Sequence, residues 1–261
     1  MSDERQRSRF NGKNVLVTGA GTGFGAALAV RAAAEGATVG VHYHRSAQGA
    51  EDTAARIREL GRDAFVVRAD ISDWDAVRSL ADEVFDRVGT LDVLVNNVGD
   101  VAVEQMSWRD VTQELVDRVI DVDVKGTLYM LHEFGERMLR QGRGCIVNIG
   151  STVVVRGSPR APQYAAAKYG VLGLTKSYAA AFAPTVRVNA FAPGFMETGA
   201  TVRRADWQGG RREKLIAATP AGRIPEPDEL AAAALFLASD EAAHVIGGFM
   251  IADGGYSMVG A

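Results

Sequence analysis

Residues 14–36 read NVLVTGAGTGFGAALAVRAAAEG. A short apolar run passes through a turn carrying Gly19, Gly21, Gly23 and Gly25 and enters an alanine-rich segment of high helix propensity, with no polar loop between. Strand, glycine turn and helix in that succession form one half of a parallel βαβ unit. Glycines let the main chain turn sharply and approach a pyrophosphate, whose charge is stabilised by the free amides and dipole at the helix start. The spacing is TGxxxGxG rather than GxGxxG, because Phe24 stands where the third glycine of that fingerprint falls. Thr22 and Phe24 belong to the same candidate dinucleotide turn as the glycines.

Outward from this unit the rhythm continues almost to the C-terminus. Apolar runs at 14–18, 38–43, 64–68, 91–96, 145–149, 186–191 and 249–251 read as strands, several of them continuously apolar, as strands covered on both faces are. Helical periodicity fills 24–35, 47–60, 74–88, a long stretch at 108–140, 162–182 and 227–238. The alternation predicts an α/β fold, a doubly wound parallel sheet of about seven strands with helices on both faces. One segment interrupts it. Residues 194–225 show no strand signal, and within them residues 199–223 carry Arg203, Arg204, Arg211, Arg212, Lys214 and Arg223 against Asp206 and Glu213. Its place after a late strand, where such sheets open their ligand crevice, makes it a candidate substrate lid, the alternative being a solvated surface helix.

Composition narrows the classes. A chain of 261 residues, 47% hydrophobic and 23% charged, has the apolar surface for one large domain and is neither disordered nor collagen-like. The single cysteine, Cys145, excludes an intramolecular disulfide framework and a cysteine-cluster metal site. A net charge of -3 offers no electrostatic case for nucleic acid or an anionic membrane. No apolar run is long enough to span a bilayer, and the polar start MSDERQRSRFNGKN lacks the core of a secretory signal, so the expectation is a cytoplasmic protein.

The end of the second strand bears on which dinucleotide binds. An NAD site places an acid there to accept from the ribose hydroxyls, whereas a 2'-phosphate requires cationic donors. Here the chain reads His42-Tyr43-His44-Arg45-Ser46, with no acid between Glu35 and Glu51. A guanidinium, a hydroxyl and an imidazole within a few residues suit the phosphate, so NADP(H) is expected over NAD. Ordinary packing is the competing reading for His42 and His44, and a metal pair lacks a third ligand.

Tyr164 and Lys168 lie four apart, on one face of a predicted helix. Ser151 lies thirteen residues before the tyrosine, just past the strand CIVNI, where a parallel sheet presents side chains to its crevice. The set suits carbonyl reduction, in which hydride arrival at carbon leaves an alkoxide that needs a proton donor and a second hydrogen-bond donor. Lowering a tyrosine pKa from about 10 by two or three units requires roughly 3 to 4 kcal/mol. A cation about 4 Å away in a partly screened site supplies on the order of 4 kcal/mol. The expected roles are Tyr164 as acid/base, Ser151 as holder of the substrate oxygen, and Lys168 as pKa depressor and ribose ligand.

TGAGTGFG, the NNVG of residues 96–99, Ser151, YAAAK and the NAFAPGFMET of residues 189–198, in this order, resemble the short-chain dehydrogenase/reductase family over residues 12–256. The resemblance implies a one-domain Rossmann fold, a nicotinamide cofactor and a homotetramer. VHYHRS is similar to NADPH-preferring members, and the C-terminal pattern is closer to 3-oxoacyl-carrier-protein reductases. It further implies that Asp70 and Ile71 flank the adenine and that Asn97 to Gly99 line the nicotinamide ribose. Pro193, Gly194, Met196 and Thr198 are implied to meet the carboxamide and pyrophosphate. One departure matters. Asp123 stands where the family has an asparagine completing a tetrad through a water relay, and an ionised carboxylate near Lys168 weakens the positive field on Tyr164.

The leading functional expectation is an NADPH-dependent reductase acting on a 3-oxoacyl thioester or another small ketone. The alternatives are an NAD-dependent alcohol or sugar dehydrogenase of the same fold, and a non-catalytic NADP-sensing regulator, against which the retained acid/base pair argues. The basic lid suits an acidic carrier protein or a coenzyme A phosphate, while Trp207, Phe195 and Met196 suit a hydrophobic ketone. Specificity is expected from residues 194–225 and from the loop after Gly99.

Overall fold

The structure, a computed structural model, describes residues 8–100, 107–203 and 206–258. Strands β1 (Asn14–Val17), β2 (Thr38–Tyr43), β3 (Ala64–Arg68), β4 (Val93–Asn96), β5 (Gly144–Ile149), β6 (Val186–Pro193) and β7 (Phe249–Ala252) form one sheet in the order β3-β2-β1-β4-β5-β6-β7. Every pairing is parallel. The chain runs outward from β1 to β3, then returns past β1 to start β4. The switch point between β1 and β4 opens a crevice at the carboxyl ends of the strands.

Helices α1 (Gly23–Ala34), α2 (Ala47–Glu59), α3 (Trp74–Val88), α4 (Gln113–Val119), α5 (Gly126–Gln141), α6 (Val153–Arg156), α7 (Pro162–Phe182), α8 (Gly199–Val202), α9 (Arg212–Ala218) and α10 (Pro227–Ala238) complete the architecture. Alternation along each strand explains the continuous apolar runs. Val15, Val17 and Val95 point into one core with Leu28, Ile57 and Leu235, whereas Leu16, Leu94 and Ile146 point into the other with Leu80, Phe134 and Phe182. The Asp73 carboxylate caps α3 by accepting from the amides of Asp75 and Ala76, and a capping box between Glu226 and Glu229 starts α10. Among the described residues no helix is long and apolar enough to cross a membrane.

The strands and most helices fall within a residue or two of their sequence-predicted limits. The long helix at 108–140 does not form as one piece. It is a short 3-10 turn (Trp108–Asp110), α4, a π turn over Ile120–Lys125, and α5. The wider turn rotates Asp123 into the interior, where it is fully buried and finds an ammonium and an amide. The described residues of 194–225 contain no strand but carry α8, a turn over Trp207–Arg211 kinked at Gly209 and Gly210, and α9. Trp207 is buried and anchors this segment rather than offering its face to a substrate.

Candidate active site

The glycine turn is built for close approach. Gly19 and Gly23 have positive φ, +64° and +57°. A Cβ on Gly25 would lie 2.3 Å from the Gly19 carbonyl oxygen, so α1 can start against the turn only with glycine there. The side-chain amide of Asn97 donates to the Thr18 carbonyl at 2.9 Å, and the Thr18 hydroxyl accepts from the amides of Asn97 and Val98, locking the end of β4 to the turn. Phe24 turns its ring into the core, stacked on Phe191 with centroids 6.3 Å apart, so only its main chain faces the turn. A cavity of about 500 Å³ opens beside Gly21, Thr22 and Gly23, bounded by Thr198, Arg56 and Asp228. Positive-φ glycines, a helix start and this cavity fit the pyrophosphate of a dinucleotide.

His42 corrects part of the sequence reading. Its imidazole is fully buried, with Nδ1 accepting from the Gly19 amide at 3.2 Å and Nε2 3.2 Å from the Ala69 carbonyl. Only the neutral ring protonated at Nε2 satisfies both contacts. Burial pushes its pKa down to about 4. The ring therefore holds the glycine turn and is not free for a phosphate. Tyr43 is likewise half-buried and packs against the core. His44 and Arg45 stand more open at the strand end, with His44 Nε2 3.7 Å from an Asp70 carboxylate oxygen. Ser46 precedes α2, its carbonyl against Gly21. Burial raises the Asp70 pKa, but hydrogen bonds from Ser72 and the charges of His44 and Arg45 bring it below its usual value. Ile71 is buried against Gly126.

Ser151, Tyr164 and Lys168 come together at the carboxyl ends of β4 and β5. Ser151 leaves β5 half-buried, accepts from the Val153 amide at 3.3 Å and hydrogen-bonds Tyr164. On α7 the Lys168 Nζ lies 5.5 Å from the Tyr164 ring centroid and donates to the Ile149 carbonyl at 3.3 Å. The same Nζ forms a buried ion pair with Asp123 Oδ1 at 2.7 Å, while Asp123 Oδ2 accepts from the Asp100 amide at 2.6 Å. Gly99 closes the wall, since a Cβ there would lie 2.8 Å from Nζ and 2.9 Å from Asp123 Oδ1. Burial lowers the Lys168 pKa, but the charge and hydrogen bond of Asp123 together with the charge of Tyr164 more than offset it and hold the lysine protonated. For Tyr164, burial pushes the pKa up, Lys168 pulls it down, Asp123 pushes it up again and Ser151 lowers it; the phenol stays above its ordinary value. Lys168 alone therefore does not bring Tyr164 towards neutrality.

After Pro193, the end of β6, Gly194 packs against Asp253 and Met196 against the α1 core. Thr198 caps α8 by accepting from the Thr201 amide and lies under Gly23. The lid is less basic in space than in sequence. Arg212 pairs with Glu197 at 2.5 Å and Arg223 with Glu229 at 2.6 Å; Arg204 and residues 101–106 of the loop after Gly99 lie outside the described residues. Two groupings had no sequence signal. Asn96 donates to Asn148, which donates to Thr175, in a buried chain behind the site. Arg156, on the short helix after Ser151, and Tyr256, a hundred residues away in the turn after β7, meet. The Cys145 thiol, pushed up to about 11 by burial, takes no part.

A family model described as enoyl-(acyl carrier protein) reductase matches residues 19–257. The chain is 37% identical over 247 residues to 3-oxoacyl-[acyl-carrier-protein] reductase FabG of Staphylococcus aureus, covering 94% of this chain and 98% of that protein. It belongs to the short-chain dehydrogenase/reductase family. This short-chain dehydrogenase/reductase is also 38% identical over 251 residues to cis-4-hydroxycyclohexanecarboxylate dehydrogenase of Sinomonas cyclohexanicum, covering 96% and 98% of the two chains. Its fold is similar to that of a gluconate 5-dehydrogenase from Burkholderia cenocepacia, solved with NADP and tartrate, with a TM-score of 0.88, 31% identity and complete coverage of both chains. The protein is thus an oxidoreductase of a family that uses a nicotinamide cofactor.

Proposed function

We infer that this short-chain dehydrogenase/reductase reduces a ketone to a secondary alcohol with NADPH. The observation that carries the reading is the convergence of Ser151, Tyr164 and Lys168 with the phenol kept protonated. The nicotinamide supplies hydride to the carbonyl carbon. Ser151 holds the carbonyl oxygen, Tyr164 gives its proton to the forming alkoxide, and Lys168 steadies the tyrosinate and reaches the cofactor ribose. The phenol is protonated at neutral pH and so is in the state that donates to the forming alkoxide. The reverse reaction, oxidation of a secondary alcohol, uses the same groups and suits the name of the Sinomonas relative. A cofactor sensor without turnover has no use for the pair.

Support for NADPH comes from Arg45, exposed at the end of β2, with His44 beside it, and from the NADP in the Burkholderia neighbour. The adenine side falls to Asp70 and Ile71, and the nicotinamide side to Asn97, Gly99, Pro193, Gly194, Met196 and Thr198. The assembly belonging to this reading is a cytoplasmic homotetramer. The test is a spectrophotometric panel of NADPH and NADH against 3-oxoacyl thioesters and small ketones. NADPH is expected to be at least tenfold better in kcat/KM, with Arg45→Ala erasing most of the gap. Faster turnover with NADH overturns the cofactor assignment, and cofactor binding without turnover of any carbonyl or alcohol overturns the reaction.

A further inference from the structure

The segments leaving Ser151, Pro193 and the last strand are tied together by arginines and aromatic rings. Arg156 ends the short helix α6 that follows Ser151. Its guanidinium carbon lies 4.4 Å from the centroid of the Tyr256 ring, and its Nη1 donates to the Tyr256 carbonyl at 2.7 Å. Tyr256 meets Phe195 edge to face at 5.2 Å, and Arg211 lies 5.7 Å from the Phe195 ring centroid. Arg211 then pairs with Asp206 at 2.6 Å, and Arg160, four residues before Tyr164, reaches the same carboxylate oxygen at 3.4 Å.

This is an unusual way to place charge if its purpose is only to hold the fold. At the opposite end of the sheet Arg187 directs its donors to three carbonyls, those of Leu237, Ser239 and Val245, beside a helix C-terminus. Arg156 uses one donor on one carbonyl, and among the described residues no carboxylate meets it. A guanidinium stacked on a ring has its orientation set by that face, while the remaining N–H groups stay in plane for a planar or tetrahedral oxyanion. Such a group is ordered before its ligand arrives, which lowers the entropic cost of binding.

We propose that the ring-stacked guanidinium of Arg156 receives the oxyanion end of the substrate, so that the enzyme acts on ketones or alcohols bearing a carboxylate in preference to neutral ones. The proposal rests on the carbonyl-reducing reading of Ser151, Tyr164 and Lys168. Tyr256 and Phe195 supply the apolar wall beside it, and Arg211 is held by Asp206. A phosphate of a thioester carrier offers the same oxyanion chemistry, and the test separates it from a carboxylate.

The NADPH-loaded enzyme is assayed with 4-oxocyclohexanecarboxylate and its methyl ester, with levulinate and methyl levulinate, and with acetoacetyl-coenzyme A and its N-acetylcysteamine analogue. In at least one pair the anion is expected to exceed the neutral partner at least tenfold in kcat/KM. Arg156→Met, which keeps the stacking but loses the donors, should remove that preference through KM for the anion while leaving the neutral partner unchanged. Preference in the coenzyme A pair alone assigns the oxyanion to a phosphate. Equal use of anion and neutral partner throughout, or an equal loss on both in Arg156→Met, overturns the proposal and leaves Arg156 as an anchor of the C-terminal turn. Calorimetric titration of cyclohexanecarboxylate into the same proteins reads the site without turnover. Binding weakened at least fivefold by Arg156→Met, in an enzyme that reduces none of the ketones, overturns the reaction and keeps the site; no binding to either protein overturns the site.

Discussion

The two ends of the β-sheet hold similar charged groups in different states of completion. At the amino ends of the strands, the Glu35 carboxylate, only 3% exposed, receives Nε and Nη2 of Arg9 at 2.6 and 2.7 Å and Nε of Arg31 at 2.7 Å. Asp92 accepts from the Asn14 amide and from Arg143. At the carboxyl ends, Asp123 is buried just as deeply but meets one cation, Lys168 Nζ at 2.7 Å from Oδ1, while Oδ2 accepts from the Asp100 amide. Where charge serves the fold, one carboxylate takes three donors from two guanidiniums. Where a proton has to move, a single buried ion pair stands beside the phenol, and its two charges push the Tyr164 pKa in opposite directions.

The contrast is broken most directly at Tyr164. Tyr164→Phe keeps the ring and its packing but removes the proton donor, so turnover should fall by about 10²- to 10⁴-fold with an unchanged melting temperature. Steady-state assays and thermal melts on one preparation check this. Activity within tenfold of the native enzyme would remove Tyr164 from the chemistry. The opposite outcome is expected at the other end. Glu35→Gln leaves two guanidiniums without their carboxylate and should cost about 3 to 5 kcal/mol of stability while turnover per folded molecule is unchanged. Urea unfolding with parallel assays measures both, and a variant as stable as the native protein would mean that the three donors on Glu35 add nothing to the fold.

Much of this contrast could be read before the fold was seen, because it depends on local spacing. Tyr164 and Lys168 share a helix face four residues apart, and Ser151 directly follows a strand, so the topology alone brings them to the crevice. The seven strands were legible for the same reason, each being a short apolar run bounded by turn residues. What escaped depends on register and on contacts between distant segments. Nothing in IDVDVKG distinguishes a π turn from regular helix, yet that turn is what buries Asp123. The sequence left His42 open between phosphate ligand and packing residue, and the pairing of β1 with β2, which carries its ring under Gly19, decides for packing. The lid read as basic because its partners, Glu197 and Glu229, flank it in sequence or lie beyond it.

His42 also supplies an effect of intermediate size. Its folded pKa, about 4, lies below the usual value of about 6.5, so as pH falls the unfolded chain takes up the proton first. Stability from this group is complete above about pH 6.5, declines between 6.5 and 4 by about 3 kcal/mol, and changes no further below that. Protonation of the folded ring also removes the acceptor for the Gly19 amide, so cofactor affinity should weaken only as the pH approaches 4. Urea unfolding at pH 7.5 and pH 5, compared with His42→Gln, isolates the slope. A slope unaltered by the substitution would assign the acid sensitivity to other groups.

The smallest effect probes the Asp123–Lys168 pair itself. Asp123→Asn keeps an acceptor for the Asp100 amide, so the start of the loop after β4 stays in place and chiefly the charge is lost. Without the carboxylate, the field of Lys168 on Tyr164 is uncompensated and the phenol pKa falls. Alcohol oxidation requires the tyrosinate, so its kcat/KM limb should move about one pH unit lower, equivalent to about 1.4 kcal/mol and a tenfold gain at a pH below both limbs. Ketone reduction requires the neutral phenol, and in the variant it should begin to decline at lower pH than in the native enzyme. The two directions must move together, because one group is being titrated from either side. A purely structural role for Asp123 lowers both rates at every pH and leaves the limbs superimposed, and that result would show the ion pair of Asp123 with Lys168 to be without consequence for the proton.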